Sequence, residues 1–282
     1  MINYKPIINN INYNDYQIGI LRLDLIHPEI SGNKWFKLKH NLQQAKIENK
    51  NTIITFGGAF SNHIAATAAS CKDNCLKSIG IIRGEETSST NATLLLAQKN
   101  GMELLFVNRT EYSQKNDSGY LQRLQYMYKD AYVIPEGGDN SLGQKGCEEI
   151  LNELTNPFHV IFCASGTGTT YKGITKSMHP YQKMYAVNVL KFELESSETN
   201  VITLNNYHFG GYAKHNNKLL EFKNWFENNF QIPLDYVYTS KLFFAAFDLM
   251  KQNKLNKNQK ILLIHTGGLQ GNEGYKERYK NL

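Results

Sequence analysis

Lys34 stands in the run Ser31-Gly32-Asn33-Lys34-Trp35-Phe36-Lys37-Leu38, a glycine turn that delivers a lysine to the start of a helix. Trp35, Leu38, Leu42 and Ala45 recur at helical spacing, and Lys37, Lys39, Gln43 and Lys46 fall on the face the pattern makes polar. The positive end of a helix dipole disfavours a lysine's own charge, and a lysine held partly neutral is a nucleophile toward carbonyls. A lone lysine in a turn is more often simply solvated, so the weight of this reading depends on its company.

That company is a set of glycine-rich turns that follow apolar runs. They are Gly57-Gly58-Ala59-Phe60-Ser61-Asn62-His63, Glu136-Gly137-Gly138, Ser165-Gly166-Thr167-Gly168-Thr169-Thr170 and His265-Thr266-Gly267-Gly268. Gly166, Thr167, Gly168, Thr169 and Thr170 open a helical stretch, so their amides and hydroxyls could cradle a phosphate; a plain turn is the alternative. The run is neither a Walker loop nor a Rossmann fingerprint. Ser61 and Asn62 suit a helix N-cap, or alternatively contacts to substrate and to a cofactor oxygen. His63 reads as a base or as a packed histidine. Tyr212 and Tyr238 read as core aromatics or as hydroxyls presented to a substrate. The acidic pair Glu85-Glu86 reads as a solvated loop.

The elements that would position these groups alternate. Strands are expected at 52–56, 78–82, 104–107, 131–134, 159–163, 185–189 and 261–264. Helices are expected near 62–70, 91–99, 119–129, 146–154, from 170 and at 241–250. This order predicts an α/β protein with parallel-rich sheets flanked by helices, whose ligands bind beyond the carboxyl ends of the strands. With 282 residues, 41% of them hydrophobic and 20% charged, the chain suits a globular protein of about two domains or one large α/β unit. Its net charge of +6 is scattered apart from Lys276, Arg278 and Lys280, a pattern that argues against a nucleic-acid footprint. Cys71, Cys75, Cys147 and Cys163 form neither a disulfide framework nor a zinc set, so no metal is expected. The start of the chain lacks a signal-peptide pattern and no apolar run reaches membrane-spanning length, so a cytoplasmic protein without membrane attachment is expected.

Taken in order over nearly the whole chain, these segments resemble the fold-type II pyridoxal-phosphate enzymes. The match is to the branch of D-cysteine desulfhydrase and 1-aminocyclopropane-1-carboxylate (ACC) deaminase. The runs that carry it are Ser-Gly-Asn-Lys34-Trp-Phe-Lys-Leu, Phe-Gly-Gly-Ala-Phe-Ser61-Asn62-His63, Ile-Pro-Glu-Gly-Gly138, Gly166-Thr-Gly-Thr-Thr170, Val-Tyr238-Thr239-Ser-Lys and His-Thr266-Gly-Gly268.

The resemblance implies a large domain of residues 1–35 and 141–282, a small inserted domain of residues 36–140, and pyridoxal 5′-phosphate (PLP) held between them. It implies Lys34 as the Schiff-base lysine and mover of protons at the α-carbon, and Asn62 on the ring oxygen. The loop Gly166, Thr167, Gly168, Thr169 and Thr170 would bind the phosphate, and Thr266 would meet the pyridine nitrogen. Ser61, Tyr238, His63 and Tyr212 would stand on the substrate side. A small amino acid as substrate and a homodimer follow from the same likeness.

ACC deaminases are expected to carry glutamate after the tyrosine, where this chain has Thr239. A hydroxyl such as Thr266 or Thr239 leaves the nitrogen largely unprotonated, which favours α,β-elimination from D-cysteine to pyruvate, ammonia and sulfide. ACC deamination is the nearest alternative, and a non-catalytic PLP- or nucleotide-binding regulator the alternative of another class. The chain departs from the branch pattern in a shortened stretch between about Tyr171 and Tyr207, in Ala213-Lys214, and in Thr169 at a usual glycine.

Overall fold

The computed structural model describes residue 2, residues 4–85 and residues 91–279, except the side chain of Arg278. Glu86 and Lys280, singled out above, lie outside the described residues. The chain forms two compact units, one of Met1–Asn33 and Cys147–Leu269, the other of Lys34–Gly146 and Gln270–Leu282.

The chain opens with β1 (Ile8–Tyr13) and β2 (Tyr16–Arg22). There follow α1 (Asn33–Ile47), β3 (Thr52–Gly58), α2 (Asn62–Asp73), β4 (Lys77–Arg83), α3 (Ala92–Lys99) and β5 (Met102–Val107). Next come α4 (Arg109–Ser113), α5 (Ser118–Met127), β6 (Ala131–Ile134) and α6 (Ser141–Cys147). The remainder is β7 (Val160–Ser165), α7 (Thr169–Ser177), β8 (Lys183–Asn188), β9 (Val201–Leu204), α8 (Asn217–Phe230), α9 (Thr239–Lys251), β10 (Ile261–His265) and α10 (Gly271–Arg278).

In the first unit six strands run in the order β1-β2-β10-β7-β8-β9, and every pair except β1–β2 is parallel. Asn14 and Asp15, both at positive φ, close the β1–β2 hairpin as a two-residue turn with Tyr13 opposite Tyr16. Register places Ile18, Ile20, Val160, Phe162, Ile261 and Leu263 on one face. There they share a buried core with Phe226 of α8 and Leu242, Phe243 and Phe247 of α9.

In the second unit four parallel strands run β5-β4-β3-β6. Alternation divides their side chains between two cores. Ile54, Phe56, Ile79 and Ile81 pack with Tyr112, Tyr120 and Leu124 of α4 and α5. Ile82 and Met102 pack with Ile64 and Ala68 of α2 and with Leu94 and Ala97 of α3. The C-terminal α10 groups with this unit, whereas the sequence reading places it with the large domain; a side chain at Gly274 would stand 2.7 Å from the Phe60 ring.

The helix expected at 146–154 is not formed. Asn140 accepts the Gly143 N–H and starts α6 early at Ser141, while Asn152 and Thr155 cap a separate 3₁₀ turn at Glu153–Thr155. Among the described residues no helix is long and apolar enough to cross a membrane, and no disulfide joins the four cysteines.

Candidate active site

Lys34 is the second residue of α1 and half-buried, with no acidic residue in the first turn to complement the dipole. Lys37, expected on the polar face, is instead buried at 5% exposure. Gly138, at φ +68°, packs against it: a side chain there would stand 3.0 Å from the Lys37 Cβ, so the chain passes close to that lysine.

Gly57, at the end of β3, lets α2 approach closely, since a Cβ would lie 2.5 Å from Ile64 and 2.8 Å from the Ser61 hydroxyl. Ser61 is the N-cap of α2 and accepts the Ile64 N–H at 3.4 Å, a long bond. Asn62 is half-buried, and its Oδ1 has no hydrogen-bond partner among the described residues.

His63 is fully buried. Thr55 donates its hydroxyl proton to the Ile134 carbonyl at 2.9 Å, so His63 Nε2, 2.9 Å from that hydroxyl, must be the donor in their contact. The proton therefore sits on Nε2, and Nδ1 presents a lone pair with no hydrogen-bond partner among the described residues. Burial first, then Lys34 and Lys37, hold the imidazole's pKa well below its ordinary value, so it is a neutral acceptor.

The phosphate-loop candidate is in the first unit. β7 ends on Ser165, whose buried hydroxyl has no hydrogen-bond partner among the described residues, and Gly168 at φ +93° turns the chain into α7. No side chain caps α7, whereas Ser61, Asn91, Asn108, Asp117 and Asn216 cap α2, α3, α4, α5 and α8. An open helix N-terminus, an orphaned serine and the Thr167–Thr169 hydroxyl pair, 2.8 Å apart, suit an anion such as a phosphate ester. Thr170 accepts from the Asn33 amide at 2.8 Å, and the Asn33 N–H donates to the Thr266 carbonyl at 3.2 Å. A side chain at Gly32 would stand 1.9 Å from that same carbonyl, which with φ +72° explains the glycine. Asn33 thus ties the β10 end to α7, and Lys34 is the next residue; sequence reasoning treated Asn33 only as part of a motif.

Tyr238 introduces α9 on a frame set by buried Asp235. That carboxylate accepts the N–H groups of Val237, Tyr238 and Thr239 at 2.7–2.9 Å and the Thr239 hydroxyl at 2.7 Å. The Asp235 N–H donates back to the Thr239 oxygen at 2.7 Å. Thr239 is therefore buried with its hydroxyl committed, which removes it from the hydroxyls available to a cofactor and leaves Thr266. Gly166 lies under the Tyr238 ring, 3.3 Å from where its Cβ would be, and Tyr212 meets that ring edge to face at 6.2 Å. Tyr212 is 45% exposed, so the core reading does not apply to it.

Behind Thr266, His265 lies 2.7 Å from the Pro233 carbonyl through Nε2 and 3.2 Å from Asp24 through Nδ1. Asp24 is also held bidentately by Arg22. Asp235, Asp24 and Arg22 went unread in the sequence; Asp235, four residues before Thr239 at a helix start, carried a capping signal.

Two α/β units with parallel sheets, a lysine in a helix's first turn and an open helix end after a glycine loop define the class of fold-type II PLP enzymes. A crystal structure of an ACC deaminase homologue matches with a TM-score of 0.85 and 25% identity over 98% of this chain and 93% of that one. A hydrogen sulfide-producing enzyme from Fusobacterium nucleatum shares the fold, with a TM-score of 0.71 at 18% identity over 95% and 96% of the two chains. No family model matches the chain.

A Thermotoga maritima protein named for ACC deaminase is 30% identical over 286 residues, 91% of this chain and 90% of its own length. The mitochondrial bifunctional D-cysteine desulfhydrase/ACC deaminase of Arabidopsis thaliana is 28% identical, over 92% of this chain and 74% of that protein. The chain belongs to the ACC deaminase/D-cysteine desulfhydrase family and is an enzyme of its lyase/deaminase class.

Proposed function

We propose that the protein is a PLP-dependent lyase that eliminates sulfide from D-cysteine. Thr239 carries the choice of substrate. The position that would hold a carboxylate in an ACC deaminase holds a neutral residue whose hydroxyl is tied to Asp235. Thr266 is then the hydroxyl left for the pyridine side, and a weakly protonated ring suits expulsion of a good leaving group.

When bound, PLP supplies the electron sink for the carbanion at the substrate's α-carbon. Lys34 would hold the cofactor through its ε-amine, and the same amine would take the proton from the substrate's α-carbon. The open α7 end with Thr167, Thr169 and Thr170 holds the phosphate, and Asn62 orients the ring oxygen. Ser61 contacts the substrate carboxylate, neutral His63 accepts a hydrogen bond through Nδ1, and Tyr212 and Tyr238 enclose the side chain. The Cα–H and Cβ–S bonds break, and the sulfur leaves with the electron pair. The released enamine takes a proton from water at Cβ to become an imine, and a second water at the imine carbon yields pyruvate and ammonia. The assignment includes a homodimer, a cytoplasmic setting and a two-domain division like the one the resemblance implies, with α10 in the smaller unit.

A panel of D-cysteine, L-cysteine, D-serine, β-chloro-alanine and ACC, read by keto-acid release, tests the substrate. Preference for ACC, which the relatives' names favour, would reverse the order of the two activities. PLP-loaded protein is expected to absorb near ~410–430 nm through its lysine linkage. Absence of that band, or its survival in Lys34→Ala, removes the cofactor assignment.

A further inference from the structure

Lys241 is fully buried in the first turn of α9, where its ammonium donates to the carbonyls of His208 at 2.8 Å and Gly211 at 2.7 Å. The segment it grips is contorted. Phe209, Gly210, Gly211 and Ala213 all stand at positive φ, and two of these are not glycine. Such a conformation persists only where its surroundings hold it.

Both carbonyls already accept backbone bonds, from Gly211 N–H at 3.0 Å and Lys214 N–H at 3.2 Å. They would stay satisfied without the lysine, so the ammonium is not there to rescue a buried acceptor. Burying it is unfavourable: desolvation lowers its pKa to about 8, against the opposing pull of Asp235. What remains for Lys241 to do is hold the shape of the turn. From that turn Tyr212 projects, exposed, onto the edge of Tyr238, while Phe209 is seated edge to face on Phe244 of α9 at 5.0 Å.

We propose that Lys241 is a positioning residue for substrate recognition: it pins the 208–211 turn to α9 and so holds Tyr212 against Tyr238. The proposal rests on the reading of those two tyrosines as the substrate pocket. Its test has one readout that does not need activity.

In Lys241→Met, amide exchange at Gly211 and Lys214 is expected to quicken by about tenfold or more. In the PLP-loaded enzyme KM is expected to rise about tenfold with kcat within about threefold, and the lysine-linked absorbance to stay unchanged. Combining Lys241→Met with Tyr212→Ala is expected to raise KM no further than Tyr212→Ala alone, because the lysine acts through the tyrosine. Unchanged exchange, a kcat loss at constant KM, or multiplying KM effects would each overturn the proposal. If the wild type turns over no substrate of the panel, the functional assignment fails, and the exchange result still decides whether Lys241 pins the turn. If Lys241→Met does not fold, Lys241→Gln, which keeps an N–H donor, is read by the same exchange and is expected to quicken it by a smaller factor.

Discussion

Replacing Asp235 with alanine should cost the first unit a large part of its stability. The carboxylate accepts four hydrogen bonds within five residues, and they differ in value. The Val237 and Tyr238 amides are half-exposed and can turn to water, so each loses about 0.5 kcal/mol. The amide and hydroxyl of Thr239 are fully buried, and losing their acceptor costs about 1–2 kcal/mol each. The expected loss is about 3–5 kcal/mol for Asp235→Ala, and about half of that for Asp235→Asn, which keeps one acceptor oxygen. Trp225 lies in the same unit and the other tryptophan, Trp35, does not. Urea unfolding followed by Trp225 fluorescence in a Trp35→Phe background therefore reports on the right unit. A loss below about 1 kcal/mol, or equal losses in the two variants, would refute the capping argument.

Gly32→Ala is expected to be among the most damaging single changes, since it combines φ +72° with a Cβ placed on the Thr266 carbonyl; soluble yield and PLP retention check it. Lys241 is protonated in both states below pH 8, but between about 8 and 10.5 the unfolded chain alone holds the proton. Stability should therefore rise with pH across that window by up to about 3 kcal/mol in wild type relative to Lys241→Met, with Asp235, Lys214 and His215 as the neighbouring charged or titratable groups. His63 acts in the same direction over a lower window. Its folded pKa is depressed, so the unfolded state takes up the proton first as pH falls below 6.5. Urea midpoints between pH 7.5 and 5 should fall more steeply in wild type than in His63→Gln.

Local signals made much of the fold legible. The glycine turns after strands and the strand 131–134 follow from short-range chemistry, and β6 occupies those residues. The Asn14-Asp15 hairpin was also readable, from a two-residue turn between strand-like runs, but it went unread. The helix at 146–154 failed because Asn140 and Asn152 redistribute the caps, and capping competes with periodicity over so short a run.

At the candidate site the residue types were legible and their commitments were not. Nothing in the sequence says that Lys37 is buried against Gly138, or that Asn33 bridges Thr170 and Thr266, because these are contacts between distant segments. Thr239 is the sharpest case. Its hydroxyl is as polar as that of Thr266, and only the structure reveals that Asp235 has already taken it.

That closed ring between Asp235 and Thr239 bears on how such an enzyme can change over generations. A glutamate arriving alone at position 239 would lose both hydroxyl bonds and set a second carboxylate beside the first in a dry place. The intermediate would be unfit by either standard. Passage between the two activities of the family would then run through a paired change at 235 and 239, an epistatic step that single-residue drift crosses rarely.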